Sequence, residues 1–129
     1  MWIVLKRLTI LPGHPRFFLG SDSAPHPEHS KSTSTPEKCC AAGIYTSPIL
    51  LPLVAHLLDS FGALDKLDGF VSGFGRAFYK REAGADSHSK VILQRTAGKT
   101  WIDDRYALNN DVVVPFWAGK EIGWEIVFK

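Results

Sequence analysis

The sequence predicts an α/β fold, and three observations support this prediction. A short apolar run at 16–22 ends in small residues and a carboxylate, which is typical of a parallel strand buried on both faces. Two later stretches carry apolar residues at helical spacing. The last third of the chain contains short β-branched runs and alternating segments, which indicate strands.

Composition places the chain among ordinary globular proteins. Its 129 residues are the size of one domain, and 45% hydrophobic residues are enough to form a core. The formal net charge is only +2, and no basic run exceeds a pair such as Lys6-Arg7, so we expect no nucleic-acid partner. The same pair interrupts the apolar N-terminal run, which argues against a signal peptide or membrane span. We therefore expect a cytoplasmic protein without a membrane partner.

The cysteines are Cys39 and Cys40, adjacent in the sequence. Neighbouring cysteines rarely pair with each other because the short link strains the disulfide. Two free thiols in a reducing compartment are therefore expected.

The first predicted strand leads into a long loop. The run 16–22 ends at Asp22, and the segment 21–48 is rich in Ser, Thr, Pro and Lys without periodicity. Long loops in compact domains are usually functional or disordered. A loop at the carboxyl end of a buried strand lies where α/β proteins place their sites.

Two helices should follow the loop. Ser47 can cap the first, Pro48 suits its first position, and Gly62 is a plausible stop. Pro52 removes a backbone hydrogen bond near the first turn, so the regular helix should begin at about Leu51. The second stripe, from 64 to 78, contains three glycines that weaken a helix and suggest close packing against another backbone: Gly69, Gly73 and Gly75.

The remaining sequence, residues 81–129, predicts a β-rich tail. Residues 83–89 form a polar break, and 91–93, 112–114 and 122–128 have the composition of strands. A turn at 115–119 separates the last two. We expect a small antiparallel unit.

The residue types for hydrolytic chemistry cluster at Asp22 and His26, with His29 nearby. A carboxylate at a strand end can bind a metal or move a proton, and a neutral imidazole can bind a metal or hold a substrate carboxylate. On the residues alone the signal is weak, because Asp-Ser-x-Pro also forms a good turn. Exposure to solvent explains His29 better than a function does.

The decapeptide 17–26 resembles the dihydroorotases of the single-function type found in bacteria and fungi, which belong to the amidohydrolase superfamily. The likeness covers roughly residues 13 to 128. It recurs at 41–45, 64–79 and 114–119. The resemblance implies the C-terminal portion of a metal-dependent hydrolase (β/α)₈ TIM barrel plus the β-rich tail. We expect one partial domain with a non-matching lead at 1–15, the last barrel strand, site loop and helices at 16–80, and the tail at 81–129.

The resemblance also implies a function. The family interconverts N-carbamoyl-L-aspartate and L-dihydroorotate in pyrimidine biosynthesis, and uses two zinc ions bridged by a hydroxide. Asp22 matches the carboxylate that binds one zinc and shuttles the proton of the hydroxide. His26 matches the residue that holds the substrate carboxylate, and Ala42 the residue whose backbone reaches the same group. Relatives are commonly dimers, so a homodimer is expected.

The departures from the family predict an incomplete site. A His-x-His pair, a carboxylated lysine and two further histidines have no match here, and a complete barrel takes about 250 residues. One ligand does not hold two zinc ions, so we expect a truncated form that lacks most of the metal ligands. The alternatives are a non-catalytic fragment or paralogue that docks on a complete barrel protein, and an unrelated small domain in which 22–26 is a turn.

Overall fold

A computed structural model describes residues 13–31, 40–81 and 90–127. These residues form two compact units. The first contains 13–20, 51–81, 90–95 and 124–127, and the second contains 21–31, 40–50 and 96–123. Within the ranges described, no helix has the length and apolar character needed to cross a membrane.

The chain combines helices and strands, as expected for the α/β class. The α-helices are α1 (Glu28–Lys31), α2 (Leu50–Ser60) and α3 (Phe74–Phe78). Two 3₁₀ turns span Ser47–Ile49 and Leu64–Lys66, and a π-helical turn spans Gly69–Gly73. The strands are β1 (Ile92–Trp101), β2 (Tyr106–Leu108), β3 (Asp111–Val113) and β4 (Glu121–Val127).

Helix α2 is the core of the first unit. Its apolar residues recur at helical spacing, and most of them are buried together with Ala63 and Trp124. The helix ends where Gly62 takes a φ of +66°, a conformation that glycine adopts without steric cost. The Ala63 N–H then donates to the Leu58 carbonyl at 2.9 Å. The predicted helix and its stop are confirmed.

The start of this helix differs from the prediction. Ser47 does not cap it, because Ser47 already lies inside the 3₁₀ turn, and Thr46 before it makes no side-chain capping bond. The Ser47 N–H donates instead to the Ser23 hydroxyl. Pro52 is accommodated as a buried residue in the first turn of α2, where its missing N–H has no helical partner to lose.

The second predicted helix is present, since residues 64–78 are helical throughout, but its geometry is irregular. Gly69 and Gly73 bound the π-helical turn between the 3₁₀ turn and α3. Gly69 and Gly75 pack closely, but against aromatic rings rather than another backbone. A Cβ on Gly69 would lie 2.7 Å from the Phe74 ring, and one on Gly75 would lie 3.3 Å from the Phe18 ring.

The strand predicted at 16–22 is wrong. Residues 17–22 have no strand geometry, and the Leu19 N–H donates to the Phe70 carbonyl at 2.9 Å. A buried parallel strand needs hydrogen-bonded neighbours on both sides. None of the described strands lies beside this segment, so its apolar residues pack on the helical pieces instead, with the Phe18 ring 5.2 Å from that of Phe78.

The β-rich tail is confirmed. β1 pairs with β4, and β2 pairs antiparallel with β3, placing Tyr106 opposite Val113. Asn109, with a φ of 55°, lies in the tight turn between β2 and β3. Ile122 and Pro115 are the largest fully buried side chains.

Some predictions fall on residues outside those that the structure describes. These are the lead up to residue 12, Cys39, the polar break at 83–89 and the end of the last strand at Phe128. Cys40 is described and is a free, exposed thiol, as expected.

Asp59 joins α2 to the two long strands within the first unit. The Arg95 guanidinium meets its carboxylate with both terminal nitrogens, each at 2.7 Å, and the Trp124 indole N–H donates to it at 3.3 Å. The guanidinium also lies 4.9 Å from the centre of the Trp124 ring. The hydrogen bond from Arg95 lowers the pKa of Asp59 below its ordinary value of 3.8, against the opposing effect of desolvation.

We predict that Asp59 makes the stability of the chain sensitive to acid. A carboxylate with a lowered folded-state pKa stabilises the fold above the ordinary value of 3.8, and this contribution is lost as the pH falls through the lowered pKa. Asp59→Asn should lower the urea midpoint at neutral pH and flatten its fall below about pH 4. Asp68→Asn, which removes another carboxylate of the same unit, is the control. An equal flattening in both variants would contradict the assignment.

Candidate functional site

Two segments of the predicted site loop are bonded side by side in the second unit. Ser23 forms a parallel bridge with Ile44, and the Ala24 N–H donates to the Ile44 carbonyl at 2.8 Å. The Ser23 hydroxyl accepts from the N–H groups of Thr46 and Ser47 at 3.0 and 3.1 Å. Ser23 therefore links the residues that follow Asp22 to the turn that starts α2.

Gly43 allows this close approach. It has a φ of +118°, and a Cβ there would lie 2.6 Å from the Ala24 Cβ and 3.0 Å from the Ala24 carbonyl oxygen. Such distances are shorter than van der Waals contact, so a larger residue forces the two segments apart. The site requires glycine for both the backbone angle and the space.

Helix α1 holds the other end of the second segment. The Ala41 N–H donates to the Ser30 carbonyl at 3.0 Å, and the Cys40 thiol donates to the Lys31 carbonyl at 3.2 Å. The Lys31 ammonium donates to the Gly43 carbonyl. The loop that the sequence predicts as structureless thus contains a short helix that binds its own far end.

Ion pairs connect α1 to the β-rich part of the same unit. Arg105 Nη2 lies 3.1 Å from Glu28 Oε1, and His29 Nδ1 lies 3.8 Å from Asp111 Oδ1. The His29 side chain is 76% exposed, which agrees with the solvent-facing interpretation of this histidine.

A pocket of about 230 Å³ opens between these segments. Its polar lining is His26, Glu28 and Lys31. Its remaining lining comes from the paired segments and from the end of β3: Ala24, Gly43, Ile44, Tyr45, Val113, Val114 and Phe116. The lining therefore combines two nitrogen-bearing side chains and one carboxylate with a mainly apolar wall.

The segment that follows β3 also holds the backbone of the pocket at Tyr45. The Phe116 N–H donates to the Tyr45 carbonyl at 2.9 Å, and the Tyr45 ring meets the Tyr106 ring edge-on at 6.0 Å. Burial raises the pKa of Tyr106, with a smaller contribution from the nearby Asp103 carboxylate.

The structure separates the three residues singled out in the sequence. His26 lines the pocket, whereas Asp22 and Ala42 are exposed and lie outside its lining. Asp22 has a φ of 42°, an uncommon conformation outside glycine. The bridge joins Ser23, which follows Asp22, to Ile44, which follows Gly43. Asp22, His26 and Ala42 therefore all lie within three residues of a bridged residue.

Of the ten residues that line the pocket, sequence reasoning assigned a role only to His26. Tyr45 and Phe116 lie in the motifs at 41–45 and 114–119, so the signal was present without a role attached to it. Glu28 and Lys31 lie in the non-periodic loop, where no pattern marked them.

The described residues do not fit a zinc centre by themselves. Among them, no group of three His, Cys, Asp or Glu side chains is placed to hold a metal ion. A catalytic zinc takes three protein ligands and a structural zinc takes four. Asp22 is one carboxylate without such companions in the part of the chain that is described.

No family model matches the chain. A dihydroorotase from Ruegeria pomeroyi is 52% identical over 114 residues, 88% of this chain and 31% of that protein. A dihydroorotase from Alkalilimnicola ehrlichii is 44% identical over 115 residues, 89% of this chain and 31% of that protein. One from Mycosarcoma maydis is 39% identical over 163 aligned residues, 94% of this chain and 41% of that protein. The chain is homologous to part of the dihydroorotases.

Solved structures agree with this assignment. The dihydroorotase of Saccharomyces cerevisiae, in complex with 5-fluoroorotic acid, matches 97% of the chain with a TM-score of 0.80 and 33% identity. The dihydroorotase of Campylobacter jejuni matches 98% with a TM-score of 0.74 and 25% identity. The chain spans about a third of the length of each. The dihydroorotase resemblance seen in the sequence is confirmed, while the described strands do not form a barrel.

We predict that Gly43→Ala destabilises the paired segments. Backbone strain at a positive φ costs about 1–3 kcal/mol, and the contact with Ala24 adds to it. Gly98→Ala is the matched control, since a Cβ there meets nothing within 4 Å. Urea unfolding should show a lower free energy of unfolding for Gly43→Ala and a change below about 1 kcal/mol for Gly98→Ala. Equal effects would rule out the close approach at Gly43.

Proposed function

We propose that this chain is the part of a cytoplasmic dihydroorotase that contributes the pocket for the substrate carboxylate. The whole protein would interconvert N-carbamoyl-L-aspartate and L-dihydroorotate, a cyclic-amide hydrolase reaction of de novo pyrimidine biosynthesis. The similarity to dihydroorotases over nearly all of the chain, with up to 52% identity and a TM-score of 0.80, carries this proposal.

His26 is the residue that we assign to the substrate carboxylate. Its imidazole lines a pocket whose lining also contains the Lys31 ammonium and several apolar side chains. An imidazole N–H can donate to a carboxylate, and the apolar side chains can accommodate a ring. The backbone of Ala42, which precedes the lining residue Gly43, is assigned to the same carboxylate.

Asp22 is assigned to proton transfer. Opening the cyclic amide requires that attacking water lose a proton and that the departing nitrogen gain one. An exposed carboxylate beside the paired segments is suited to accept the first of these protons. We further propose that Asp22 is one zinc ligand of the complete protein, whose other ligands are not among the described residues of this chain.

A second candidate is a non-catalytic chain that docks on a complete barrel protein or pairs as a homodimer. Exposed aromatic side chains favour it: within the first unit Phe78 and Tyr79 are 65% and 66% exposed and contact Phe18. Clustered apolar surface of this kind marks an interaction site.

A chimaeric enzyme separates the two candidates. In the Ruegeria pomeroyi dihydroorotase, this chain would replace the 114 residues that it matches. We predict an active chimaera in which Asp22→Asn lowers kcat about 10²–10⁴-fold, the range for loss of a general acid or base. His26→Ala should raise KM about 10–100-fold, because a hydrogen bond to a charged group is lost. Steady-state dihydroorotate hydrolysis measures both.

His29→Ala is the matched control for this experiment. His29 lies three residues after His26, in α1, and faces solvent, so its removal should leave kcat and KM within about twofold. A folded chimaera whose activity is indifferent to Asp22 and His26 would exclude the proposed roles. A folded but inactive chimaera would favour the docking candidate.

For the chain alone we predict sub-stoichiometric zinc and no turnover. The reason is the incomplete donor set around Asp22 in the described residues. Metal content after gel filtration in the presence of zinc, and dihydroorotate hydrolysis by the same sample, are the measurements. Turnover that Asp22→Ala abolishes would show that the chain, by self-association, supplies the missing ligands.

A further inference from the structure

We propose that Lys31 is a positioning residue of this site: its ammonium, donating to the Gly43 carbonyl, fixes the pocket wall that presents the Ala42 and Gly43 backbone to the substrate carboxylate. This inference rests on the proposed function. It assigns a role to Lys31, a loop residue to which no sequence pattern gave a function.

The pocket wall formed by residues 41–44 needs a hydrogen bond at Gly43 to fix its conformation. Gly43 has a φ of +118°, and glycine has more backbone freedom there than any other residue. The residues on either side are already held, Ala41 by the Ser30 carbonyl and Ile44 by the Ala24 N–H. Lys31 supplies the contact between these two anchors, and so orients the peptide groups that face the pocket.

The contact depends on the side chain of Lys31 and not on its backbone. The Lys31 carbonyl accepts from the Cys40 thiol, and the neighbouring Ser30 carbonyl accepts from Ala41. Both of these bonds persist when the lysine is replaced by another helix-compatible residue. Removing the amine therefore releases Gly43 while α1 stays attached to residues 40 and 41.

Charge favours the same arrangement. Lys31 and His26 line one pocket with Glu28, and Arg105 pairs with the Glu28 carboxylate at 3.1 Å. The guanidinium offsets the negative charge of Glu28, so the pocket keeps a net attraction for an anion. The wall is thus held by a cation that does not oppose the binding of a carboxylate.

The test compares three variants of the full chain and of the chimaera. Lys31→Met keeps the length of the side chain without the amine, and Lys31→Arg keeps the charge and the donors. Asp111→Asn is the matched control, because it removes a contact of α1 through His29 without touching the pocket lining or the Gly43 carbonyl. The readouts are the backbone amide resonances of residues 41–44 in the free chain and KM and kcat for dihydroorotate in the chimaera.

In Lys31→Met we expect the amides of 41–44 to shift and KM to rise about tenfold, the loss of one hydrogen bond to a charged group, with kcat within about twofold. Lys31→Arg should bring KM back to within about threefold of the parent, and Asp111→Asn should move neither readout. A raised KM with unmoved amides would overturn the inference, because Lys31 would then contact the substrate directly. Unmoved amides with unchanged KM would overturn it as well.

Failure of this inference is distinguishable from failure of the proposed function. If His26→Ala raises KM while Lys31→Met does not, the function holds and the positioning role is refuted. If His26→Ala also leaves KM unchanged, the carboxylate pocket itself is wrongly assigned.

Discussion

The close approach of Gly43 to Ala24 is the constraint on which the site depends. With a side chain at position 43, the bridge from Ser23 to Ile44 could not form at its observed separation. That bridge brings His26 into one pocket with Tyr45. The absence of a Cβ at Gly43 therefore allows two segments of the loop to pair, with the pocket between them.

The site divides into parts that this chain completes and parts that it does not. The pocket is lined by residues of one unit, among them the His26 imidazole and the Lys31 side chain. The described residues do not form a metal site, since no group of three His, Cys, Asp or Glu side chains is placed to hold an ion. This agrees with a chain that spans about a third of the dihydroorotases it matches.

Local physics accounts for the elements that were predicted correctly. Helix α2 follows from apolar residues at helical spacing and from Gly62, whose φ of +66° ends the helix. The strands of the tail follow from β-branched and alternating residues. The run at 16–22 was misread because apolar composition does not reveal whether neighbouring strands are present to accept its hydrogen bonds. The second helix was predicted from its apolar spacing, but its π-helical turn was not, since that spacing does not distinguish the helix types.

By itself the sequence determined the α/β class, the likeness to the dihydroorotases and the residue types at Asp22 and His26, because these depend on local composition and order. Only the tertiary structure decided which residues share the pocket. Glu28 and Lys31 join it through α1, and Phe116 joins it through a hydrogen bond to Tyr45. Contacts between segments so far apart in the chain depend on loop geometry and on the space beside Gly43, and no local pattern encodes them.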